Sequence, residues 1–460
     1  MNISRLLSNR NKLTRLPCCE NNANNGIIYN ATNGNWNNNN KINSNYVLPF
    51  LEYDIYDDAL LEEYTYPYSH FLQSYIKSRK GKRNRIRRKK YDFMYILDLI
   101  DLTHRVNNYE YIPRRCERFV VDENRKAREI ISSDVEDCIV YQLWGDEVKE
   151  YMNQEIPENS FSCREGKGGL AMMKYMYDMI YNVSLGYVRK CWLFIFDLRK
   201  CFMSIDREFA VKDLNKLVDK YITDNNKKEL LKYLNRIIFQ VSPDEECVTI
   251  CHPHRMEKIP HEKRMTNAPR GFGLALGKWP SQLYINYSTR RHLEYMRQIH
   301  IPCALYTDDT MGIVVDDNAY NPEGYCTKSQ LLYMMPGISK NLQNNMHLSI
   351  HPNKFYIQPL ERGMRCLAYR FIGDKIIPNK TITGNVLYKL KCFIKAANSN
   401  NKYIKHHTET IMSVINSYMG ILKWCNSNKL KRKVLSKIHR STLGDMFDIY
   451  DNKILLKKIC

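Results

Sequence analysis

No run of apolar residues in this 460-residue chain approaches about 18, the length a helix needs to cross a bilayer, so the sequence predicts no membrane partner. No secretory leader is expected either: Met1 to Cys19 is broken by Arg, Lys and Asn and has no apolar core. The expectation is a cytoplasmic protein whose 15 cysteines are reduced thiols, not a disulfide framework. Zinc-finger spacing is absent. The one concentration of Cys and His, at Cys247, Cys251, His252, His254 and His261, fits no standard pattern and reads as scattered loop residues. Acidic charge is in short supply: 70 Lys and Arg face 49 Asp and Glu, a net charge of +21. That excess makes a polyanion the natural partner.

The charge is unevenly spread. Lys77, Arg79, Lys80, Lys82, Arg83, Arg85, Arg87, Arg88, Lys89 and Lys90 crowd into one run. A run this dense repels itself unless it meets phosphate, and such contacts are salt-sensitive and indifferent to base sequence. Lys80, Lys82, Arg83, Arg85, Arg87 and Arg88 are therefore the expected contacts to a nucleic-acid backbone. Upstream, residues 1–48 form an Asn-rich head too poor in apolar residues to fold alone. Residues 49–115 form an extension that carries an acidic, Tyr-rich stretch (52–68) and then the basic run.

Short apolar runs punctuate the remainder. Phe119–Val121 leads to the turn Asp122-Glu123-Asn124 and resumes at Glu129–Ile131 behind Arg125, Lys126 and Arg128, which reads as a basic hairpin. Val140 to Tyr151 and Leu170 to about Ile180 read as helices. The second is entered by the Gly-rich basic loop Ser162-Cys163-Arg164-Glu165-Gly166-Lys167-Gly168, a form that lets amides face an anion. A second Gly-rich segment, Arg270 to Leu283, opens another helix. Its flat backbone around Gly277 and its small Ser281 would let a base approach.

The chemistry concentrates in acids. Ile301–Leu305 and Met311–Val315 flank Tyr306-Thr307-Asp308-Asp309, a hairpin with two carboxylates at its tip. Asp197 ends another apolar run, Trp192–Phe196. Strand-end carboxylates that converge are what two-metal phosphoryl transfer needs, because paired divalent ions must be bridged by negative oxygens.

Asp197 followed by Phe202, together with Tyr306-Thr307-Asp308-Asp309, resembles the first palm motif and the Tyr-X-Asp-Asp motif of reverse transcriptases. The resemblance runs from about Tyr109 to Leu435. Within that family, three segments resemble the diversity-generating retroelement type of bacteria and phage, in its Bacteroides-like group. They are Leu276-Gly277-Lys278-Trp279-Pro280-Ser281-Gln282, Cys163-Arg164-Glu165-Gly166-Lys167-Gly168 and Asn416-Ser417-Tyr418-Met419-Gly420. Lys278-Trp279-Pro280 and Arg365-Cys366-Leu367-Ala368 depart from the usual Asn-Leu-Thr and Phe-Leu-Gly.

The resemblance implies an α+β right-hand polymerase: fingers over 116–193, a palm with an antiparallel sheet over 194–375 (insert at 240–270), and a helical thumb over 376–460. It implies that Asp197, Asp308 and Asp309, with the carbonyl of Leu198, hold two Mg²⁺, or Mn²⁺ in their place. Arg128 and Arg164 would reach the incoming triphosphate, and Lys167 would either help there or contact the template. Phe202 would exclude a 2′-hydroxyl. Gly277, Ser281 and Gln282 would sit near the templating pair, Tyr306 beside the primer end, and Lys354 against pyrophosphate. Asp206 would cap the helix after it. The implied partners are an RNA template, cDNA, dNTPs and a small basic helical accessory protein, in the cytoplasm of a bacterium or phage-infected cell. The Asn-rich head resembles template repeat translated in frame. The alternatives are a defence-associated or retron-like reverse transcriptase working from a non-coding RNA, an RNA-binding protein on a dead polymerase fold, and a basic α+β nucleic-acid-binding protein.

Overall fold

The computed structural model describes residues 63–81, 86–123, 126–242, 244–245, 247–399 and 407–457. The Asn-rich head, most of the acidic stretch, and Lys82, Arg83 and Arg85 of the basic run lie outside these residues. The chain divides into two units. One comprises Met1–Ile112, Val135–Leu143 and Asp224–Leu230, and the other the remainder.

In the first unit α1 (Tyr68–Ser78) lies against α2 (Ile86–Asn107). Their contact is aromatic and ionic: Tyr75 stacks on Tyr95 with centroids 5.0 Å apart, and Arg79 pairs with Asp92 at 2.8 Å. Arg88 belongs to this packing. It is 4% exposed and donates to Ser78 Oγ at 2.9 Å. The expectation that it contacts a nucleic-acid backbone is corrected here, because Arg88 itself faces inward while the adjacent Lys89 and Lys90 are exposed. Lys80 remains exposed.

The second unit begins with β1 (Glu117–Glu123) and β2 (Lys126–Ser132), the basic hairpin expected from the sequence, paired over seven positions. Next come α3 (Val135–Glu155), whose start belongs to the first unit, and α4 (Gly169–Val183). Then follow β3 (Cys191–Leu198), the one-turn α5 (Cys201–Ser204), α6 (Arg207–Tyr221) and α7 (Asn225–Phe239), the last passing through both units. Asp206 caps α6 as expected, its carboxylate accepting from Phe209 N. β4 (Val248–Thr249) runs parallel to β1, and α8 (Pro253–Glu257) follows.

The central sheet forms from segments far apart in the chain. After α9 (Trp279–Ser288) and α10 (Arg290–Gln298) come β5 (Cys303–Tyr306), β6 (Asp309–Val315), α11 (Lys328–Met346) and β7 (Ile350–Pro359). The strand order is β5-β6-β3-β7, antiparallel throughout. Strand alternation sends Cys191, Leu193, Met311, Ile313 and Val315 to one face, where they meet Met172, Met173, Met176, Ile180 and Val183 of α4. Those five recur at helical spacing and form one apolar stripe. The opposite face carries Phe194 and Phe196, and Phe196 meets His292 of α10 edge-on at 5.6 Å. Gly312 leaves room there: a Cβ would sit 2.4 Å from the Phe194 ring.

The chain then forms a small antiparallel sheet of β8 (Met364–Cys366), β9 (Tyr369–Ile372) and β10 (Lys375–Pro378). It ends in α12 (Lys380–Asn398), α13 (Thr408–Lys423) and α14 (Asn428–His439), which share a core with Phe447 and Ile454. Those two residues lie on β11 (Phe447–Tyr450) and β12 (Lys453–Leu456), a hairpin absent from the helical reading of 376–460. Asn416 holds its edge, accepting from Ile454 N and donating to Ile454 O, both at 2.8 Å. The observed architecture is thus a mixed α/β chain with antiparallel sheets. No helix among the described residues is long and apolar enough to cross a membrane.

Candidate active site

The turn between β5 and β6 contains two residues, Thr307 and Asp308, with Tyr306 paired to Asp309 across it. Thr307 takes φ +58°, which costs a β-branched residue energy that surrounding contacts must supply. Those contacts come from the segment before α4. Ser162 Oγ accepts from Thr307 N at 3.2 Å and donates to Asn286 Oδ1 at 2.9 Å. Ser160 Oγ also donates to Asn286, and Phe161 N donates to Leu305 O at 2.9 Å. The Gly-rich basic loop therefore starts by bracing the acidic turn.

On the other side, β6 pairs with β3 in a register that sets Asp309 directly opposite Asp197. Leu198 N donates to Asp308 O at 2.9 Å, tying the turn to the end of β3. Directly opposed residues share a face, so Tyr306, Asp309 and Asp197 form one row across three strands, with Cβ atoms about 5 Å apart between neighbours. Burial raises the Asp308 pKa, and the negative charges of Asp309 and Asp197 raise it further. Asp309 is raised as well, by burial and by Asp197, against the opposing charges of Lys354, Arg365 and Lys126. Three acids far apart in sequence thus share one site.

One cation enters that site directly. β3 pairs Phe196 with Phe355 and then Leu198 with Ile350, so a single residue of β3, Asp197, faces the four-residue bulge 351–354 of β7. β7 is the last strand of the sheet, where a bulge and Pro352 are tolerated. The bulge delivers Lys354, whose ammonium is ion-paired to Asp197 Oδ2.

The other predicted residues divide. Leu198 is buried and Tyr306 half-buried, both beside the acids. Phe202 lies on α5, four residues beyond the end of β3, with its carbonyl accepting from Leu274 N at 2.7 Å. Ser281 is buried, and Gln282 Oε1 lies 4.0 Å from Cys163 Sγ. Arg128 is exposed on β2. Arg164 and Lys167 have partners within the protein: Arg164 donates to the carbonyls of Pro157 and Ser160, and Lys167 pairs with Glu158 and lies over the Phe161 ring. Glu158 attracts both, and the sequence carried no sign that it would lie beside them. Gly277 is needed for a different reason than expected. At φ +113°, its missing Cβ makes room for Ile130 Cγ2 and Ile131 O, each 2.8 Å from where that atom would be. It packs the second Gly-rich segment against β2. Conversely, Arg365 and Lys126 bear on Asp309 electrostatically, a role not assigned to either from the sequence. The signal for Arg365 was its departure from the motif.

A divalent ion would find suitable donors here: hard carboxylate oxygens of like charge, crowded enough that their neighbours raise the Asp308 pKa. Their present arrangement is not a finished cage. Among the described residues, no three His, Cys, Asp or Glu side chains are grouped to hold a metal ion. This holds also for the cluster Cys247 to His261.

No protein-family model matches the chain, and no curated protein matches it. Among solved structures it is similar to a telomerase from Candida albicans in complex with a fragment of telomeric RNA. The identity is 10%, the TM-score 0.41, and the overlap covers 73% of this chain and 61% of that one. It is also similar to an apo telomerase from Candida tropicalis truncated of its C-terminal domain, at 11% identity and TM-score 0.40, over 58% of this chain and 55% of that one. The chain spans less than two thirds of either telomerase.

Proposed function

We propose that the protein is an RNA-directed DNA polymerase that adds nucleotides at the row Asp197–Asp309 and the adjoining Asp308. The observation that carries this reading is the register of β3 with β6, which sets two carboxylates face to face with the third in the turn beside them. On this reading the central sheet is the palm of a right hand, the β1–β2 hairpin belongs to the fingers, and the α12–α14 region is the thumb. Two Mg²⁺, or Mn²⁺, would be held by Asp197, Asp308, Asp309 and the Leu198 carbonyl, and would supply Lewis acidity toward the primer hydroxyl and the triphosphate. The chain's own part is positioning. β3 and β6 fix the acids, Ser162 and Asn286 brace the turn that carries Asp308, and Phe202 on α5 would exclude the 2′-hydroxyl of a ribonucleotide. Lys126 and Arg128, at the start of β2, are the basic residues suited to a triphosphate. Lys80 and its neighbours are suited to the duplex backbone.

Primer extension on an RNA template with dNTPs and Mg²⁺ tests the reading. The wild-type protein should extend and Asp308→Asn should not, at unchanged circular dichroism. Extension by Asp308→Asn at the wild-type rate would remove the assignment. Within this class we favour the diversity-generating type, supported by the Leu276–Gln282, Cys163–Gly168 and Asn416–Gly420 segments. A repeat pair and a small basic accessory gene beside the coding sequence are expected. A solitary gene among defence genes would favour the anti-phage alternative.

A further inference from the structure

We propose that Lys354 is a resident counter-cation of the acid cluster: it neutralises Asp197 in the metal-free protein and must be expelled before a divalent ion can be bound. This rests on the polymerase reading only in taking the three acids as metal ligands.

The geometry is specific. A lysine reaching an acid from a regular strand would need no interruption of the ladder. Here β7 inserts four residues opposite one, and the last of the four is the lysine. Bulges re-aim side chains, and this one aims an ammonium at Asp197 Oδ2. The two partners differ in exposure: the Asp197 side chain is 13% exposed and that of Lys354 42%. The acid is fixed in the sheet, while the lysine has an open route to water and a flexible stem on which to leave. The bulge is also poorly anchored. Pro352 lacks a donor, Pro352 and Asn353 are exposed, and Asn353 N is bonded locally to His351 Nδ1 at 3.2 Å. The same lysine bears on Asp309, so its departure would free two of the three acids at once.

The consequence is competition between ammonium and metal for one carboxylate. Removing the lysine should tighten metal binding, whereas a lysine that merely supports the fold would leave the affinity unchanged or weaken it. The test is Mn²⁺ binding to the full-length protein, without nucleotide or nucleic acid, followed by the electron paramagnetic resonance signal of free Mn²⁺. Four proteins are compared: wild type, Lys354→Gln, Lys354→Arg and Asp308→Asn. Lys354→Gln should bind Mn²⁺ about fivefold more tightly, the equivalent of roughly 1 kcal/mol for a partly exposed ion pair. Lys354→Arg, which keeps the charge, should bind no more tightly than wild type. Wild-type or weaker affinity in Lys354→Gln, with Asp308→Asn still abolishing the site, overturns the counter-cation and leaves the metal-site reading standing. Mn²⁺ binding that Asp308→Asn does not weaken overturns the metal-site reading itself, and the competition with it. Thermal melts in EDTA guard against misfolding: Lys354→Gln should melt cooperatively and gain more from added Mn²⁺ than wild type does.

Discussion

Asp308→Asn should remove activity and at the same time make the metal-free protein more stable. Two carboxylates about 5 Å apart repel by roughly 3 kcal/mol at an effective dielectric near 20. Asp308 has two such neighbours, Asp309 and Asp197, and is buried besides. Part of this repulsion is already relieved, because Lys354 pairs with Asp197. The remaining gain on replacing the acid with a neutral amide of the same shape is about 1–3 kcal/mol. In a chain of this size each kcal/mol moves the melting temperature by roughly 1–2 °C. The assay is a thermal melt in EDTA at pH 7.5, where Asp308→Asn should melt about 2–5 °C above wild type by that conversion. Added Mg²⁺ should raise the wild-type melting temperature and narrow the gap. If the variant melts at or below wild type in EDTA, the acids are not electrostatically frustrated and the crowding inferred at the turn is wrong.

Three further outcomes follow from the packing. Ser162→Ala strips the Thr307 amide of its partner at a residue with positive φ, and should cost about 1–3 kcal/mol in urea unfolding; an unchanged midpoint would mean the turn is braced some other way. Gly277→Ala brings a Cβ to within 2.8 Å of Ile131 O at φ +113° and should cost about 1–3 kcal/mol or more. A neutral effect on the urea midpoint would show that the β2 contact is loose. His292 is fully buried, and burial pushes its imidazole down to about 4. The unfolded imidazole takes a proton near pH 6.5 while the folded one does not, so this contribution is complete above about 6.5 and is lost as pH falls toward 4. The shift from 6.5 to about 4 corresponds to roughly 3 kcal/mol. His292→Gln should flatten the fall in stability between pH 6.5 and 4.5, and an identical slope would assign that fall to other groups.

Much of the local structure was legible from the residues. The hairpin bearing Asp308 and Asp309, the strand ending at Asp197, the basic β1–β2 hairpin and the α4 stripe announce themselves by period and by turn chemistry, which depend only on near neighbours. Asp206 was readable as a helix cap for the same reason. The β11–β12 hairpin was missed although Asp451-Asn452 sits between two short β-prone runs, because the Lys-rich segments before it read as helix throughout.

The residues alone thus determined that two strand ends carry acids and that the chain is strongly basic, with a net charge of +21. They could not determine the pairing of β3 with β6 that sets Asp197 opposite Asp309, since strand register is chosen by packing on both faces of a sheet assembled from distant segments. Nor could they show that a bulge in β7 turns Lys354 onto Asp197, that Glu158 claims Arg164 and Lys167, or that Arg88 faces inward. A cation goes to whichever partner the fold places within reach, and partners distant in the chain are set by tertiary structure.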